Sequence, residues 1–381
     1  MPFLIANILS AFTAFSALFF GVMAVLTLIG LARRQENGGP NPSDEAKPEV
    51  SIVVPARNEA EAIPHCLAGL RSLDYPPQKL EIILVNDHSE DGTETVMKQF
   101  ASEVKHTKVV SLGLIPGQAT GYSAALAAGA AQAKGKTILI TDADCEVSPG
   151  WVRGMLSAFT NSVVIAGGFL NLSRRGERSL NAGIQTLDWM LFAAAGAAWA
   201  NLGRPISVFG NNMGIKREIY KKAGGFENAG PHMTEDFALF RKVLRIPGTR
   251  ARLSLEPDAM AYTRPVRSPG EFFKQRKRWA LGARDRGMVS WLLMSATFLM
   301  HLAVVLSALL GYSVLAAAGF VYAFTMNALV LGTVCVRLRR KDLLRFLVPF
   351  QAYFIAYTLF FAGVMLFSRK VEWKDRKYSA G

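Results

Sequence analysis

The sequence predicts an α/β domain on a mostly parallel sheet, set between apolar segments suited to a membrane. Three observations point there. Five short β-rich runs alternate with helical patterns between residues 50 and 169, and those runs are apolar almost throughout. Charged side chains are missing from long stretches near both ends of the chain. Alternating strands and helices imply right-handed βαβ units and so parallel strands. Strands that are apolar on both faces are what helices on both sides of a sheet require.

The end segments come first. Of 381 residues, 51% are hydrophobic, yet the formal net charge is +14. Met1–Ala32, Gly287–Val336 and Phe346–Ser368 hold no charged residue. About 20 apolar residues suffice to cross the hydrocarbon core as a helix, so the chain reads as an integral membrane protein. The first segment lacks a basic start, and Arg33 and Arg34 follow it, which favours a retained anchor over a cleaved signal peptide. Those arginines, with Lys274, Arg276, Lys277, Arg278, Arg284 and Arg286, flank the spans on the side of the middle segment. The positive-inside rule then puts Arg33–Arg286 in the cytoplasm, at the inner (cell) membrane. A basic rim against anionic lipid accounts for the excess charge, with no nucleic-acid partner.

This gives an anchor at 1–32, a Gly/Pro/Asn-rich linker at 33–48 and a cytoplasmic domain at 49–286. Two to three membrane segments follow at 287–368, then a basic tail at 369–381. Gly287–Val336 has the length for two passes. A further pass through Phe346–Ser368 would leave the tail outside, against the charge rule, unless Pro349 and Gln351 break that segment. Leu187–Leu202 is too short and interrupted for a span and is expected on the membrane face. Cys66, Cys145 and Cys335 are too few and scattered for a disulfide framework or a zinc site. Asn171-Leu172-Ser173 matches a glycosylation acceptor, which a cytoplasmic location makes accidental.

Within the soluble domain the predicted strands are "VSIVVPA", "LEIILVND", "TKVVSLG", "TILITDA" and "VVIAGGF", with helices at Glu59–Ser72 and Gly92–Phe100. In such sheets ligands bind outside the carboxyl ends of the strands. Those ends read "PARNE" (55–59), "NDHSEDGT" (86–93) and "TDADC" (141–145), each with acid or amide groups. Part of this has an ordinary explanation. Asn58 and Glu61 have the spacing of a capping box, and "SEDGT" reads as a turn before a helix. Asp87 stands directly at a strand end and is harder to dismiss. "GLIPGQATG" has neither the Walker nor the GxGxxG spacing.

Asp142-Ala143-Asp144 places two carboxylates where a turn would bring them together. As hard oxygen ligands they suit Mg²⁺ or Mn²⁺ bound alongside substrate phosphates, although solvated turn residues would read the same. In "HMTEDFALFRKVL" (232–244), Thr234 is a good N-cap, and Glu235 and Asp236 suit the helix dipole. A carboxylate so held can also act as a general base. "EFFKQRKRWALGARDR" (271–286) is either an interfacial helix anchored by Trp279 or a source of Arg278 for a bidentate diphosphate contact.

Taken in order, "SIVVPARNE", "VNDHSEDGT", "TDADC", "GNNMGIKR", "AGGFEN", "MTED" and "QRKRW" resemble the membrane-integrated family 2 glycosyltransferases, relatives of cellulose and hyaluronan synthases. The resemblance covers about residues 50–286 and implies the nucleotide-sugar-binding fold called GT-A. It implies that Pro55, Ala56, Arg57 and Glu59, with Asp87 and Ser89, hold the base and ribose of a UDP-sugar. It further implies that Asp144 and Asp142, flanking Ala143, bind the diphosphate through Mg²⁺ or Mn²⁺. Asp236, beside Glu235, would be the catalytic base. Gln275, Arg278 and Trp279 would close over diphosphate and acceptor. One departure stands out: Tyr122 in "GYSAALAAG" occupies a position where many relatives have lysine.

The tail "VEWKDRKY" resembles the "WKGRxY" ending of ceramide and carotenoid glucosyltransferase-like proteins, which implies a lipid acceptor in the bilayer. A basic tail bound to headgroups is the plainer reading. A processive polysaccharide synthase shares the same motifs but needs a channel that three or four apolar segments would make only small. A membrane scaffold without catalysis would not need the complete set of acids and arginine.

Overall fold

A computed structural model of the protein describes residues 2–33, 49–113, 121–174, 176–227, 235–282, 287–368, 370–373 and 376–379. Linker residues 34–48, Thr234 of the "MTED" motif, and Arg284 and Arg286 of the basic cluster lie outside the described residues.

The chain begins with α1 (Pro2–Ala32), β1 (Val50–Ala56), α2 (Ile63–Arg71), β2 (Leu80–Asn86), α3 (Thr93–Glu103), β3 (Thr107–Ser111), α4 (Tyr122–Gln132) and β4 (Thr137–Thr141). It continues through β5 (Glu146–Val147), α5 (Trp151–Leu156), β6 (Val163–Gly168), β7 (Leu170–Asn171), α6 (Leu180–Asn201), β8 (Asn212–Lys216) and α7 (Arg217–Lys222). Then follow α8 (Glu235–Val243), β9 (Arg250–Ser254), β10 (Ala261–Tyr262), α9 (Pro269–Gly282), α10 (Met288–Leu309), α11 (Ser313–Arg337) and α12 (Leu347–Phe367). The last elements are β11 (Lys370–Trp373) and β12 (Arg376–Ser379). These form two compact units: an α/β unit (Gln35–Arg174 and Ser207–Arg264) and a helical unit (Met1–Arg34, Arg175–Ile206 and Pro265–Gly381).

The α/β unit holds a seven-stranded sheet in the order β3-β2-β1-β4-β8-β6-β9. The pairs β1–β2, β1–β4, β2–β3 and β6–β9 are parallel, whereas β8 runs antiparallel to both β4 and β6. The mostly parallel expectation therefore holds, with one reversed strand that the apolar-run pattern did not anticipate. Registers Ala56↔Asn86 and Val53↔Ile140 bring the carboxyl ends of β2, β1 and β4 to one edge. Every residue of β1 and β4 is buried, as strands covered on both faces must be. On one face lies the alanine-rich α4, whose Ala125, Leu126 and Ala130 join Val53, Ile83 and Val85 in the core. Small side chains allow the close approach: a Cβ on Gly129 would stand 2.4 Å from Val53 Cγ1.

One polar device ties this sheet together. Glu81 of β2 accepts from Ser51 Oγ of β1 at 2.5 Å, and from Lys134 N at 2.5 Å and Gly135 N at 3.2 Å in the turn before β4. Burial alone would raise the Glu81 carboxyl, but these bonds and Lys108 outweigh it and hold it below its usual value.

The helical unit contains four helices long and apolar enough to cross a membrane: Phe3–Ala32, Met288–Leu309, Ser313–Arg337 and Lys341–Phe367. In it α1 packs on α6, α10 and α11. Gly30 makes one such approach possible, since a Cβ there would lie 2.4 Å from the Ala198 carbonyl oxygen. The apolar stretch expected at Leu187–Leu202 belongs to a longer helix, α6, capped by Ser179, whose Oγ accepts from Ala182 N at 3.3 Å.

The last apolar segment is not broken. Pro349 sits in the first turn of α12, where its missing N–H would have had no partner. Gln351 accepts from Asn327 Nδ2 of α11 at 2.9 Å and lies 3.4 Å from His301 Nε2 of α10. His301 Nδ1 is 2.5 Å from Thr358 Oγ1. Buried polar side chains of apolar helices thus find one another across the bundle. After α12, β11 and β12 pair antiparallel, Lys370 with Ser379 and Trp373 with Arg376, and β11 runs beside α9.

Candidate active site

The carboxyl ends of β1 and β2 lead into two loops that are zipped together. Asp87 N donates to Ala56 O at 2.8 Å. Asn58 N donates to Ser89 Oγ at 3.1 Å, and Glu90 N to Asn58 Oδ1 at 2.9 Å. Glu59 N donates to Thr93 Oγ1 at 2.8 Å, and Ala60 N to Asp91 Oδ2 at 3.1 Å. Asn58 (φ 53°) and His88 (φ 56°) take left-handed backbone conformations, which asparagine tolerates better than most residues. The capping box expected of Asn58 and Glu61 is not formed. The Asn58 side chain is spent across the loops, and α2 starts only at Ile63. The turn expected in "SEDGT" is present: Asp91 Oδ1 accepts at 3.0 Å from the N–H of Thr93, the first residue of α3. The Thr93 hydroxyl, above all, holds the Asp91 carboxyl below its usual value.

Asp87 is the buried acid of this corner, 4% exposed, with Oδ1 2.9 Å from His88 Nδ1. Pro55 and Ala56 are buried in β1, whereas Arg57 is exposed.

At the end of β4 the expected turn forms, Cys145 N donating to Asp142 O at 3.0 Å. Ala143 is buried, Asp142 half-buried and Asp144 exposed. Asp142 Oδ1 accepts from the Tyr122 hydroxyl at 2.5 Å. Among the described residues, Asp144 is reached only by weak or long donors, Cys145 Sγ at 3.3 Å and Thr263 Oγ1 at 3.3 Å. Burial, then the charges of Asp144 and Asp142, push the Cys145 thiol well up, so it stays a neutral thiol. Among the described residues no group of three or more His, Cys, Asp or Glu side chains could hold a metal ion alone. The donor set fits a hard cation that completes its shell with water and substrate phosphate, as Mg²⁺ and Mn²⁺ do.

Asp236 stands in the first turn of α8. Its Oδ2 accepts from Gly210 N at 2.9 Å and its Oδ1 from Phe237 N at 2.9 Å. Gly210 must be glycine for this: a Cβ there would lie 2.7 Å from Asp236 Cβ. Two residues on, Asn212 is fully buried and saturated. It accepts from Trp151 Nε1 at 2.9 Å and donates to Phe169 O and Ala259 O at 3.1 and 2.9 Å. "GNNMG" is therefore a structural clasp whose first glycine reaches the candidate base. Nothing is described of the Glu235 side chain.

Gln275, Arg278 and Trp279 lie half-buried on α9 in the helical unit. The same helix holds a residue that the sequence pattern had placed in the basic rim. Arg276 is fully buried beside Asp188 of α6, itself 1% exposed, with Nη2 2.8 Å from Oδ2. The contact is ionic rather than hydrogen-bonded, since no guanidinium nitrogen has an aligned acceptor among the described residues. The guanidinium also sits 4.4 Å from the Trp279 ring and 4.9 Å from Phe272, and Trp279 meets Trp189 edge-on at 4.8 Å. Burial raises the Asp188 carboxyl, and the Arg276 charge opposes the rise. A signal was available: Asp188 is the one charged residue between Leu180 and Leu202.

Residues 51–224 match the family described as Glycosyl transferase family 2. The chain is 28% identical over 241 residues to "Probable glycosyltransferase YdaM" of Bacillus subtilis, covering 62% of this chain and 55% of that protein. It is 26% identical over 252 residues to "Beta-monoglucosyldiacylglycerol synthase" of Synechocystis sp., covering 64% and 50%. Relatives of similar identity include a protein named as a poly-beta-1,6-N-acetyl-D-glucosamine synthase. The chain spans about half the length of these curated relatives. Among solved structures, the mannosyltransferase PcManGT from Pyrobaculum calidifontis, in complex with GDP-Man and Mn2+, is similar with a TM-score of 0.58 at 21% identity. That likeness covers 96% of this chain and 99% of that one, and it shows a shared fold.

Proposed function

We propose that this chain, whose residues 51–224 match the family described as Glycosyl transferase family 2, is a glycosyltransferase that moves a sugar from a nucleoside diphosphate sugar to a hydroxyl of a membrane lipid, with inversion. The observation that carries the reading is the edge where β2, β1 and β4 end side by side, β2 leading into Asp87 and β4 into Asp142 and Asp144. Asp87 and Ser89, with residues 55–59, take the base and ribose; Asp142 and Asp144 take the diphosphate. Asp144 and Asp142 would hold Mg²⁺ or Mn²⁺, which when bound offsets charge on the diphosphate.

Asp236 accepts the proton of the acceptor hydroxyl as that oxygen bonds to the anomeric carbon. The bond to the diphosphate oxygen breaks on the opposite face, and one displacement inverts the centre. The two N–H bonds to Asp236 hold its carboxylate aimed before the acceptor arrives. Arg278 is assigned to the leaving diphosphate, and Gln275 and Trp279 to its surroundings, on the sequence pattern alone. UDP is the donor nucleotide that the same pattern favours. Four apolar helices and the flanking arginines support an inner-membrane location with the α/β unit in the cytoplasm.

The test uses inside-out and right-side-out membrane vesicles given labelled UDP-sugars and GDP-mannose, with and without Mn²⁺. We expect label in one discrete lipid, only in inside-out vesicles and only with the cation. Label in a long polymer would overturn the lipid acceptor in favour of a polysaccharide synthase. Transfer in strong chelator would overturn the metal reading of Asp142 and Asp144.

A further inference from the structure

Tyr122 opens α4 directly after Gly121, whose φ of 101° turns the chain into the helix. Its hydroxyl donates to Asp142 Oδ1 at 2.5 Å. On the other side, Ser123 Oγ donates to Phe226 O at 3.4 Å. The first turn of α4 is thus fastened to the β4 turn and to the segment after α7. Behind it, Ala125, Leu126 and Ala130 are locked into the core against β1 and β2. A rigid core helix, rather than a loop, therefore fixes where the phenol points.

The chemistry of the donor matters. An O–H that donates to a carboxylate fixes its orientation without cancelling its charge. A cationic side chain in the same place would fix the carboxylate and neutralise it too. We infer that Tyr122 is a positioning residue of the donor site: its hydroxyl aims Asp142 at a nucleoside diphosphate with its divalent cation. This rests on Asp142 and Asp144 being the donor-binding acids.

The test uses the purified full-length chain, with Tyr122→Phe removing only the hydroxyl and Asp144→Ala as control. Mn²⁺ with UDP, or with GDP, is titrated by calorimetry, and steady-state kinetics follow. Losing a hydrogen bond to a charged group corresponds to about a tenfold loss of affinity. We therefore expect Tyr122→Phe to weaken nucleotide binding about tenfold in Mn²⁺ and to raise donor KM by a similar factor. Its kcat should fall by less, and acceptor KM should hold. In chelator, wild type and variant should bind the nucleotide alike. Wild-type affinity in Tyr122→Phe, with binding lost in Asp144→Ala, overturns the role of Tyr122 and leaves the site standing. An equal loss with and without the cation also overturns it, since that is how a merely structural role would behave. If wild type binds neither nucleotide with any divalent cation, the donor-site reading itself fails, and the inference falls with it.

Discussion

The two units hold their polar groups in opposite ways. In the α/β unit, three site carboxylates accept from uncharged donors among the described residues: Asp236 from two backbone N–H groups, Asp142 from a phenol, Asp144 from a thiol and a hydroxyl. In the helical unit, buried polar side chains consume one another: Asp188 with Arg276, Gln351 with Asn327, His301 with Thr358. A carboxylate held by neutral donors keeps its charge for a substrate or cation. A pair that cancels internally offers little outward and mainly sets how helices lie. Deleting one acid from the first group should therefore damage function with the fold intact, and deleting one from the second should damage the fold.

The largest effect is expected at Asp236. Asp236→Asn removes the proposed base but keeps an acceptor oxygen for Gly210 N, so turnover should fall by about 10²–10⁴ with the unfolding curve unmoved. Gly210→Ala pushes the carboxylate aside rather than removing it and should cost less. Both are read as initial rates of lipid glycosylation beside thermal unfolding in detergent. Full activity in Asp236→Asn would remove the base assignment.

The buried pair comes next. Removing one partner strands a charge in an apolar bundle, a loss of about 3–5 kcal/mol. Asp188→Asn and Arg276→Met should each lower the melting temperature of the full chain sharply. The double variant Asp188→Leu with Arg276→Met should recover much of that loss, because no charge is then left buried. Singles that melt like wild type would break the contrast between the units.

Much of this was legible in the sequence, and the failures share a cause. Strands β1, β2, β4 and β6 lie where apolar runs placed them, because burial on both faces writes a continuous signal, and the half-exposed edge strand β3 lies where its β-branched run placed it. Strand β8 was missed: "NMGIK" is short, and its reversed direction depends on non-local pairing with β4 and β6. Asp87, Asp142, Asp144 and Asp236 could be picked out because acids at strand or helix ends are visible locally. Tyr122, Gly210 and Arg276 acquire their roles only by meeting residues 20, 26 and 88 positions away. Asn58 shows the same limit from the other side. Its spacing to Glu61 suggested a local cap, and a contact 32 residues distant took its side chain instead.

The smallest effect, none on activity, concerns the tail, and it tests whether the helical unit obeys its own pairing rule. Helix α9 carries Glu271, Lys274, Lys277 and Arg278 outside the buried pair, and such charges each cost about 2.5–3.5 kcal/mol or more at the bilayer centre. Helix α9 therefore belongs outside the hydrocarbon, on the side where α10 begins. Strand β11 follows α12 within three residues and runs beside α9, so the chain must return to that side after α12. Three complete crossings by α10, α11 and α12 would end on the other. We expect α12 not to complete a third crossing, which keeps the basic tail in the cytoplasm as its charge requires. A green fluorescent protein fused after Gly381 should fluoresce, and alkaline phosphatase fused there should be inactive. The reverse pattern would mean that α12 crosses, and that the contact between β11 and α9 does not exist in the membrane.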